Sequence, residues 1–376
     1  MRIMVISTPI FRLGLSGLCG YGGLEIIAWQ CARGLAAKGH QVSLAAPDGS
    51  ECPGANVLFT GPERETNEHQ AYDRYWKKLL EHDVVIDHTW NKWSLILKQE
   101  NVLRAPCLSV LHAPVNTMYS SLPPVDKPCF VCISDDQKNH FEALFSHPAR
   151  RAYNGVDLDF YKPMSVSRSR RFLFVARFSA IKGADLGIEA CKKAGVGLDL
   201  IGDTSITNEP EYFDKCKKMC DWVCVPGDFS FKASPFIGDN VPPEKQIKMH
   251  GSKSRSECVH WFSQAHCFLH PNQRFREPFG LAPVEAMACG CPVIGWRHGA
   301  MAETIKEDET GWLVNSMEDL VGCIGAVNQT EGSGPLVPIT DATRKRCREW
   351  ASQFSIQNMV NSYEKLCEES LSTGGW

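Results

Sequence analysis

The sequence predicts an α/β protein made of two Rossmann-like, doubly wound domains facing a cleft. Short apolar runs alternate with helical patterns through the first half, a polar and basic segment without pattern interrupts them (163–171, PMSVSRSRR), and the alternation then restarts with FLFVA. Strand-helix alternation implies a parallel sheet covered on both faces. A length of 376 residues with 43% hydrophobic content is enough to give each of two domains its own core. Two such sheets would set a ligand cleft between their C-terminal edges.

Taken in order, the elements are MVIS, a helix over Gly23 to Lys38, VSLAA, a helix around Tyr72 to Leu80, DVVIDH, a helix near Trp93 to Leu97 and CLSVLH. FVCIS, a helix from Asp136 to Phe145 and RRAYN complete the first domain, expected over 1–165. The segment 163–171 reads as a linker whose arginines are solvated charge. The second domain, 166–345, runs through FLFVA, a helix from Asp185 to Ala194, LDLIGD, IKMHG, and strand-helix units around His266 and Ile294. Helices from Ala342 to Phe354 and from Gln357 to Leu371 form the tail, 346–376, the second with Met359, Tyr363 and Leu366 at helical spacing.

A net charge of -3 gives no electrostatic case for nucleic acid. The opening MRIMVISTP reads as a first strand, no window approaches a membrane span, and the expected location is cytoplasmic. Seventeen cysteines prompt a check for metal. Cys129 and Cys132 fall on opposite faces of a strand, and Cys289 and Cys291 flank Gly290 in a turn. Cys216, Cys220 and Cys224 sit at i, i+4, i+8 of an expected helix, but no second cluster follows at ligand spacing. They read as small residues in a reducing compartment, with no metal site.

The densest chemistry lies between Arg276 and Trp296, REPFGLAPVEAMACGCPVIGW. HCFLHP reads as a buried strand, and LAPVEAMACG as a helix stopped by Gly290. Free amides at Phe279, Gly280 and Leu281 would then face a phosphate, with Gly280 allowing close approach. Glu277 and Glu285 flank this helix start, roughly 12 Å apart if all the intervening steps were helical. An E-x7-E spacing alone favours an ordinary acidic surface helix, and it is the phosphate-ready helix start between the acids that favours a site. Arg177 and Lys182 follow FLFVA, with Gly183 opening a helix, where a diphosphate would need neutralising. Gly22 and Gly23 in GYGGLE follow the first strand and open a helix, and His112 ends CLSVLH on the expected cleft, with His88 in VIDHTW a weaker candidate.

The stretch from Glu277 closely resembles the donor-site pattern of retaining glycosyltransferases of family 4, E-P-F-G-L-x-x-x-E-A-M-A-x-G-x-P-V. VARFSAIKG resembles that family's G-R-x-x-x-x-K-G element, with Ala176 in place of the usual glycine, and GYGGLE its G-G-x-E loop. YNGVDLDFYKP, IGD (with Gly202 near the nucleotide base), HGAMAETIKEDETGWLV and Ser134 in CISDDQ match further elements. The resemblance implies a GT-B architecture and transfer of a hexosyl group from a nucleotide-diphosphate sugar, UDP-sugar or GDP-mannose type, to an acceptor hydroxyl. It implies phosphate binding by Arg177 and Lys182, a sugar contact at Glu277, ribose hydroxyls at Glu285 and a histidine, His112, near the transferred sugar. It also implies donor contacts at Ser134, Gly22 and Gly23, a last helix crossing back to the first domain, and front-face transfer without cofactor or metal. The acceptor would be a sugar, a glycolipid or a small molecule, with peripheral membrane contact and oligomeric state left open. A GT-B phosphorylase, a nucleotide-sugar epimerase and a non-catalytic nucleotide-sugar binding protein are the alternatives. Residues 221–246 exceed the family pattern by roughly twenty residues and read as a lid or as a surface insertion.

Overall fold

The computed structural model describes residues 1–14, 22–115, 122, 124–204, 209–224, 244–329 and 339–376. Most of the 221–246 insertion, residues 225–243, lies outside them. Two compact units form, one of Met1–Gly155 with Phe354–Trp376 and one of Val156–Gln353.

In the first unit, strands β1 (Arg2–Ile6), β2 (Gln41–Ala46), β3 (Ala55–Phe59), β4 (Val84–Asp87), β5 (Cys107–Leu111), β6 (Phe130–Cys132) and β7 (Ala149–Arg151) pair in the order β3-β2-β1-β4-β5-β6-β7. Every pairing is parallel. Ile3 to Ile6 and Val84 to Ile86 are buried along their whole length, as a sheet covered on both faces demands. Helices α1 (Gly23–Ala37), α2 (Glu68–Asp73), α3 (Trp76–Leu79), α4 (Trp93–Gln99) and α5 (Asp135–Phe145) cover it. On α1 the buried set Ile27, Ala28, Cys31, Ala32 and Leu35 repeats at helical period.

The second unit repeats the plan. Strands β8 (Phe172–Val175), β9 (Leu198–Ile201), β10 (Trp222–Val223), β11 (Ile247–Met249), β12 (Phe268–His270), β13 (Val293–Trp296) and β14 (Gly311–Val314) run in the order β10-β11-β9-β8-β12-β13-β14, again all parallel. Its helices are α6 (Ala184–Ala194), α7 (Pro210–Met219), α8 (Arg255–Gln264), α9 (Leu281–Ala288), α10 (Met301–Thr304), α11 (Met317–Asn328) and α12 (Asp341–Ala351). The last helix, α13 (Ile356–Thr373), belongs to the first unit and packs on α1, with Val360 against Gly34 and Met359 on Gly155. Strand order reverses between β1 and β4 in one sheet and between β8 and β12 in the other, and the crevice outside such a reversal is where doubly wound sheets take ligands.

Several expectations need correction. Residues 156–165 belong to the second unit, ten residues earlier than the expected boundary. Arg348 holds them by donating to the carbonyls of Tyr161 (2.5 Å) and Leu158 (2.6 Å), and Tyr161 is buried. The unit closes at Gln353 instead of residue 345 because α12 packs on α9.

The segment expected to be a solvated linker is structured. Arg171 forks onto Asp199 with Nε at 2.8 Å and Nη2 at 2.9 Å, and Arg168 donates to Ser263 O. The helix expected over Tyr72 to Leu80 is two short helices, because Tyr75 (φ -129°) leaves the helical path. Helix α7 stops at Met219 with Cys220 extended, so Cys216, Cys220 and Cys224 do not share a helix face. Strands β3, β10 and β14 were not anticipated. β3 is an edge strand with all five residues partly or fully exposed, so its apolar signal is weak.

Arg171→Ala should lower the stability of the second unit by about 3–5 kcal/mol, because it removes the guanidinium fork from a buried carboxylate and leaves Asp199 only His250 Nε2, at 2.8 Å. Urea unfolding should show Arg170→Ala, at an exposed position, costing less than about 1 kcal/mol. Equal effects for the two variants would return Arg171 to the solvent.

Candidate active site

At the strand reversal of the second sheet, Arg177 and Lys182 follow β8, while His270 closes β12 and Asn272 and Glu277 follow it. The two loops are tied by an ion pair, Lys182 Nζ to Glu277 Oε2 at 2.6 Å, with both side chains 11% exposed. Asn272 Nδ2 donates to the same oxygen at 3.0 Å, and His270 Nε2 stands 3.4 Å from it. Burial alone would raise the Glu277 carboxyl. The Lys182 charge, followed by His270, overrides it and holds Glu277 far below the usual carboxylate range. His270 is in turn lowered by burial, against the pull of Glu277. Glu277 Oε1 accepts nothing among the described residues, so one lone-pair face of a fixed carboxylate is available for a hydroxyl.

Next to this carboxylate the chain turns into α9 through Gly280, which caps the helix at φ 86° and ψ 74°. The left-handed backbone favours glycine there, and a Cβ would stand 2.5 Å from Met301 Cε, the movable end of a flexible side chain. The first hydrogen bond of the helix is Val284 N to Gly280 O at 3.5 Å, which leaves the amides of Leu281 and Ala282 ahead of it. Leu281 is partly exposed and Phe279 is buried in the turn beneath. Arg177 Nε is buried with no hydrogen-bond partner. A helix start and a guanidinium whose Nε has no hydrogen-bond partner among the described residues suit an anion, with Glu209 the acid near enough to feel the Arg177 charge.

Glu277 precedes the first helical residue of α9 by four positions, so the all-helical spacing to Glu285 does not hold. Glu285 lies midway along α9, partly exposed, beside the Tyr161 hydroxyl and Arg255. Burial raises its carboxyl, with Arg255 and then Tyr161 opposing. Arg255 Nε donates to Tyr161 Oη at 3.1 Å. Gly202, just past β9 at φ 147°, donates its N–H to Gly251 O at 3.0 Å. A Cβ there would meet Ala176 O at 1.9 Å, so backbone packing alone requires glycine at this position.

The first unit has its own cluster at the reversal of its sheet. Gly22 caps α1 and Gly23 is its first residue. Glu25 is buried two residues on, accepts from Thr8 Oγ1, and is raised by burial. His112 follows β5 and contacts His88, which follows β4, with Nε2 to Nδ1 at 2.8 Å. Ser134 is fully buried and its hydroxyl caps α5, accepting from Gln137 N at 3.0 Å, a structural placement.

Two family descriptions match the chain, Glycosyl transferases group 1 over residues 239–327 and Glycosyltransferase Family 4 over residues 21–160. The chain belongs to the group 1, family 4 glycosyltransferases. An uncharacterised glycosyltransferase of Methanocaldococcus jannaschii is 26% identical over 243 residues, 64% of this chain and 59% of that protein. A D-inositol 3-phosphate glycosyltransferase of Xylanimonas cellulosilytica is 19% identical over 398 residues, 88% and 89% of the two chains. Sucrose-phosphate synthase from Thermosynechococcus elongatus superposes with a TM-score of 0.73 at 19% identity, over 99% of this chain and 100% of that one. Anabaena HepE, in complex with UDP and glucose, does so at 0.71 and 16%, over 98% and 99%. These likenesses establish the GT-B fold. The chain spans about half the length, 45 to 59%, of several curated relatives it matches.

Within this glycosyltransferase chain, sequence reasoning missed the residues that hold its acids. His270 and Asn272 had a signal, the strand end HPN beside Glu277, whereas Arg255 had none, lying on a helix with no acidic pattern of its own. Tyr161 was inside a quoted element, YNGVDLDFYKP, without a role.

Lys182→Ala should destabilise the second unit by about 3–5 kcal/mol at pH 7, leaving Glu277 buried without its cation and with only Asn272 and His270 on its oxygen. The wild type owes this stability to a depressed carboxylate, so it is present above the unfolded value near 4.5 and lost as pH falls toward the folded value. In the variant the carboxyl rises instead. The gap between the two proteins in urea unfolding should therefore narrow on going from pH 7 to below pH 4.5, and a gap independent of pH would detach Glu277 from Lys182.

Proposed function

We propose that the chain is a retaining, metal-independent glycosyltransferase that moves a hexosyl group from a nucleotide-diphosphate sugar, UDP-sugar or GDP-mannose type, to an acceptor hydroxyl. The observation that carries this reading is the buried Lys182–Glu277 pair beside the partnerless Arg177 Nε and the open start of α9. That constellation offers fixed positive charge where a leaving diphosphate gains negative charge, so it favours the transition state over the ground state. Arg177, Lys182 and the amides at Gly280 and Leu281 would hold the diphosphate, and Glu277 would hold the sugar through Oε1. Glu285 would accept from the ribose hydroxyls, with Tyr161 and Arg255 orienting it. HepE, a relative in fold, is a complex with UDP and glucose, which supports a nucleotide sugar as donor.

His112 keeps the role the family resemblance implies, a hydrogen bond to the sugar or to the departing phosphate. We infer front-face transfer, as the family resemblance implies, in which the leaving phosphate helps take the acceptor proton. The acceptor is a sugar, a glycolipid or a small molecule. We assign the chain to the cytoplasm on its cysteine content, with those described all unbridged. No described helix is long and apolar enough to cross a membrane.

A panel of nucleotide sugars screened for thermal stabilisation in EDTA, then assayed for transfer with the product anomer read by NMR, tests the reading directly. An inverted anomer, or activity only with added Mn²⁺ or Mg²⁺, would overturn the mechanism. Glu285→Ala should weaken nucleotide binding about 10- to 150-fold in calorimetry, the equivalent of one charged hydrogen bond of roughly 1.5–3 kcal/mol. Unchanged affinity would remove Glu285 from the ribose.

A further inference from the structure

We propose that His88 is a positioning residue that sets the tautomer of His112, so that His112 presents an Nδ1–H donor and acts as a hydrogen-bond donor, not as a base. The inference deepens the glycosyltransferase reading and rests on it for the ligand, an oxygen of the sugar or of the leaving phosphate.

The strands β4 and β5 are neighbours in parallel register, Asp87 opposite Ser109, and the residues just past their ends are His88 and His112. The two rings stack at 5.1 Å with an interplanar angle of 29°, and Nδ1 of His88 lies 2.8 Å from Nε2 of His112. One proton must sit between those nitrogens, and a neutral pair can place it in two ways. If His112 donates from Nε2, then His88 must carry its own proton on Nε2 and His112 is bare at Nδ1. If His88 donates from Nδ1, then His88 is bare at Nε2 and His112 carries its proton at Nδ1.

The surroundings of His88 Nε2 decide between them. His88 is fully buried and Nε2 has no hydrogen-bond partner among the described residues. A buried N–H without an acceptor forfeits its only hydrogen bond, and such orphans are rarer than unmet acceptors. The bare lone pair is the cheaper vacancy, so the proton sits on His88 Nδ1 and His112 is the Nδ1–H tautomer.

A charged pair is excluded by what faces it. From the loop before α4, the buried ammonium of Lys92 donates to the carbonyls of Asp87 (3.1 Å) and Thr89, placing positive charge beside the rings. The Asp87 carboxylate is occupied by Thr89 N at 2.8 Å, Thr89 Oγ1 at 2.6 Å and Ser94 Oγ. From α13 the neutral Tyr363 ring packs on His88 at 5.8 Å. Burial and then Lys92 hold His88 at about 3, and burial, His88 and Lys92 hold His112 well below the usual imidazole range.

The test is the ¹⁵N spectrum of imidazole nitrogens in the full chain at pH 7, with His88 and His112 identified by their loss in His88→Asn and His112→Gln. The expected pattern is a protonated Nδ1 and a bare Nε2 in both residues, and a bare Nδ1 or a doubly protonated ring at His112 overturns the proposal. His88→Asn keeps an amide N–H near the position of Nδ1. It should preserve the His112 tautomer and keep kcat/KM within a few-fold. His88→Ala should mix the tautomers and lower kcat by on the order of tenfold. A His112 spectrum unchanged in His88→Ala also overturns it. The spectrum of the wild type reads the tautomer whether or not any nucleotide sugar is turned over, so failure of the transferase reading and failure of this one are told apart.

Discussion

The ion pair between Lys182 and Glu277 is the constraint on which the second unit's site depends, because it is chiefly the Lys182 charge that offsets the burial of the Glu277 carboxylate. Lys182 comes from the loop after β8 and Glu277 from the loop after β12, so the pair bridges the point where the strand order reverses. Asn272 and His270 approach the same carboxylate oxygen and restrict how it can turn. The backbone is held as well, since Glu277 O accepts from Ala300 N at 2.9 Å and ties this loop to the one after β13. A carboxylate fixed at both ends leaves the Gly280 turn and the start of α9 little freedom. Preorganisation of this kind is what makes helix amides effective toward an anion.

Charge is arranged in opposite senses at the two sheet reversals. In the second unit, acid and base are both charged and matched, and Arg177 Nε has no hydrogen-bond partner among the described residues. In the first unit the titratable groups are pushed toward neutrality, with Glu25 raised by burial and His88 and His112 lowered. Lys92 is the buried cation there, and it is satisfied by carbonyls. The first site can therefore direct hydrogen bonds, whereas the second can neutralise charge.

Where the sequence misled, the reason was a partner distant in the chain. Arg171 looks like a member of a basic linker until β8 and β9 pair and bring Asp199 to it. Cys216, Cys220 and Cys224 match a helical period, but the chain leaves the helix at Met219 because Cys220 and Asp221 turn into β10 beside β11. Ser134, by contrast, caps α5 through a partner only three residues on, a local role that the following acidic residues Asp135 and Asp136 fit and that leaves its match to a family element untouched.

Local sequence was sufficient to determine the alternation of strands and helices, the two parallel sheets, the glycine at the turn into α9 and the acids on either side of it. Each of these is written in neighbouring residues through hydrophobic period, turn chemistry and helix starts. Which charges survive burial was not legible. Lys182 with Glu277 is separated by 95 residues and His88 with His112 by 24, and their protonation depends on distances that exist only once the strands are in register. Tertiary structure alone decided that one pair is ionised and the other neutral, because the balance between desolvation and a neighbouring charge is set by the position of that neighbour.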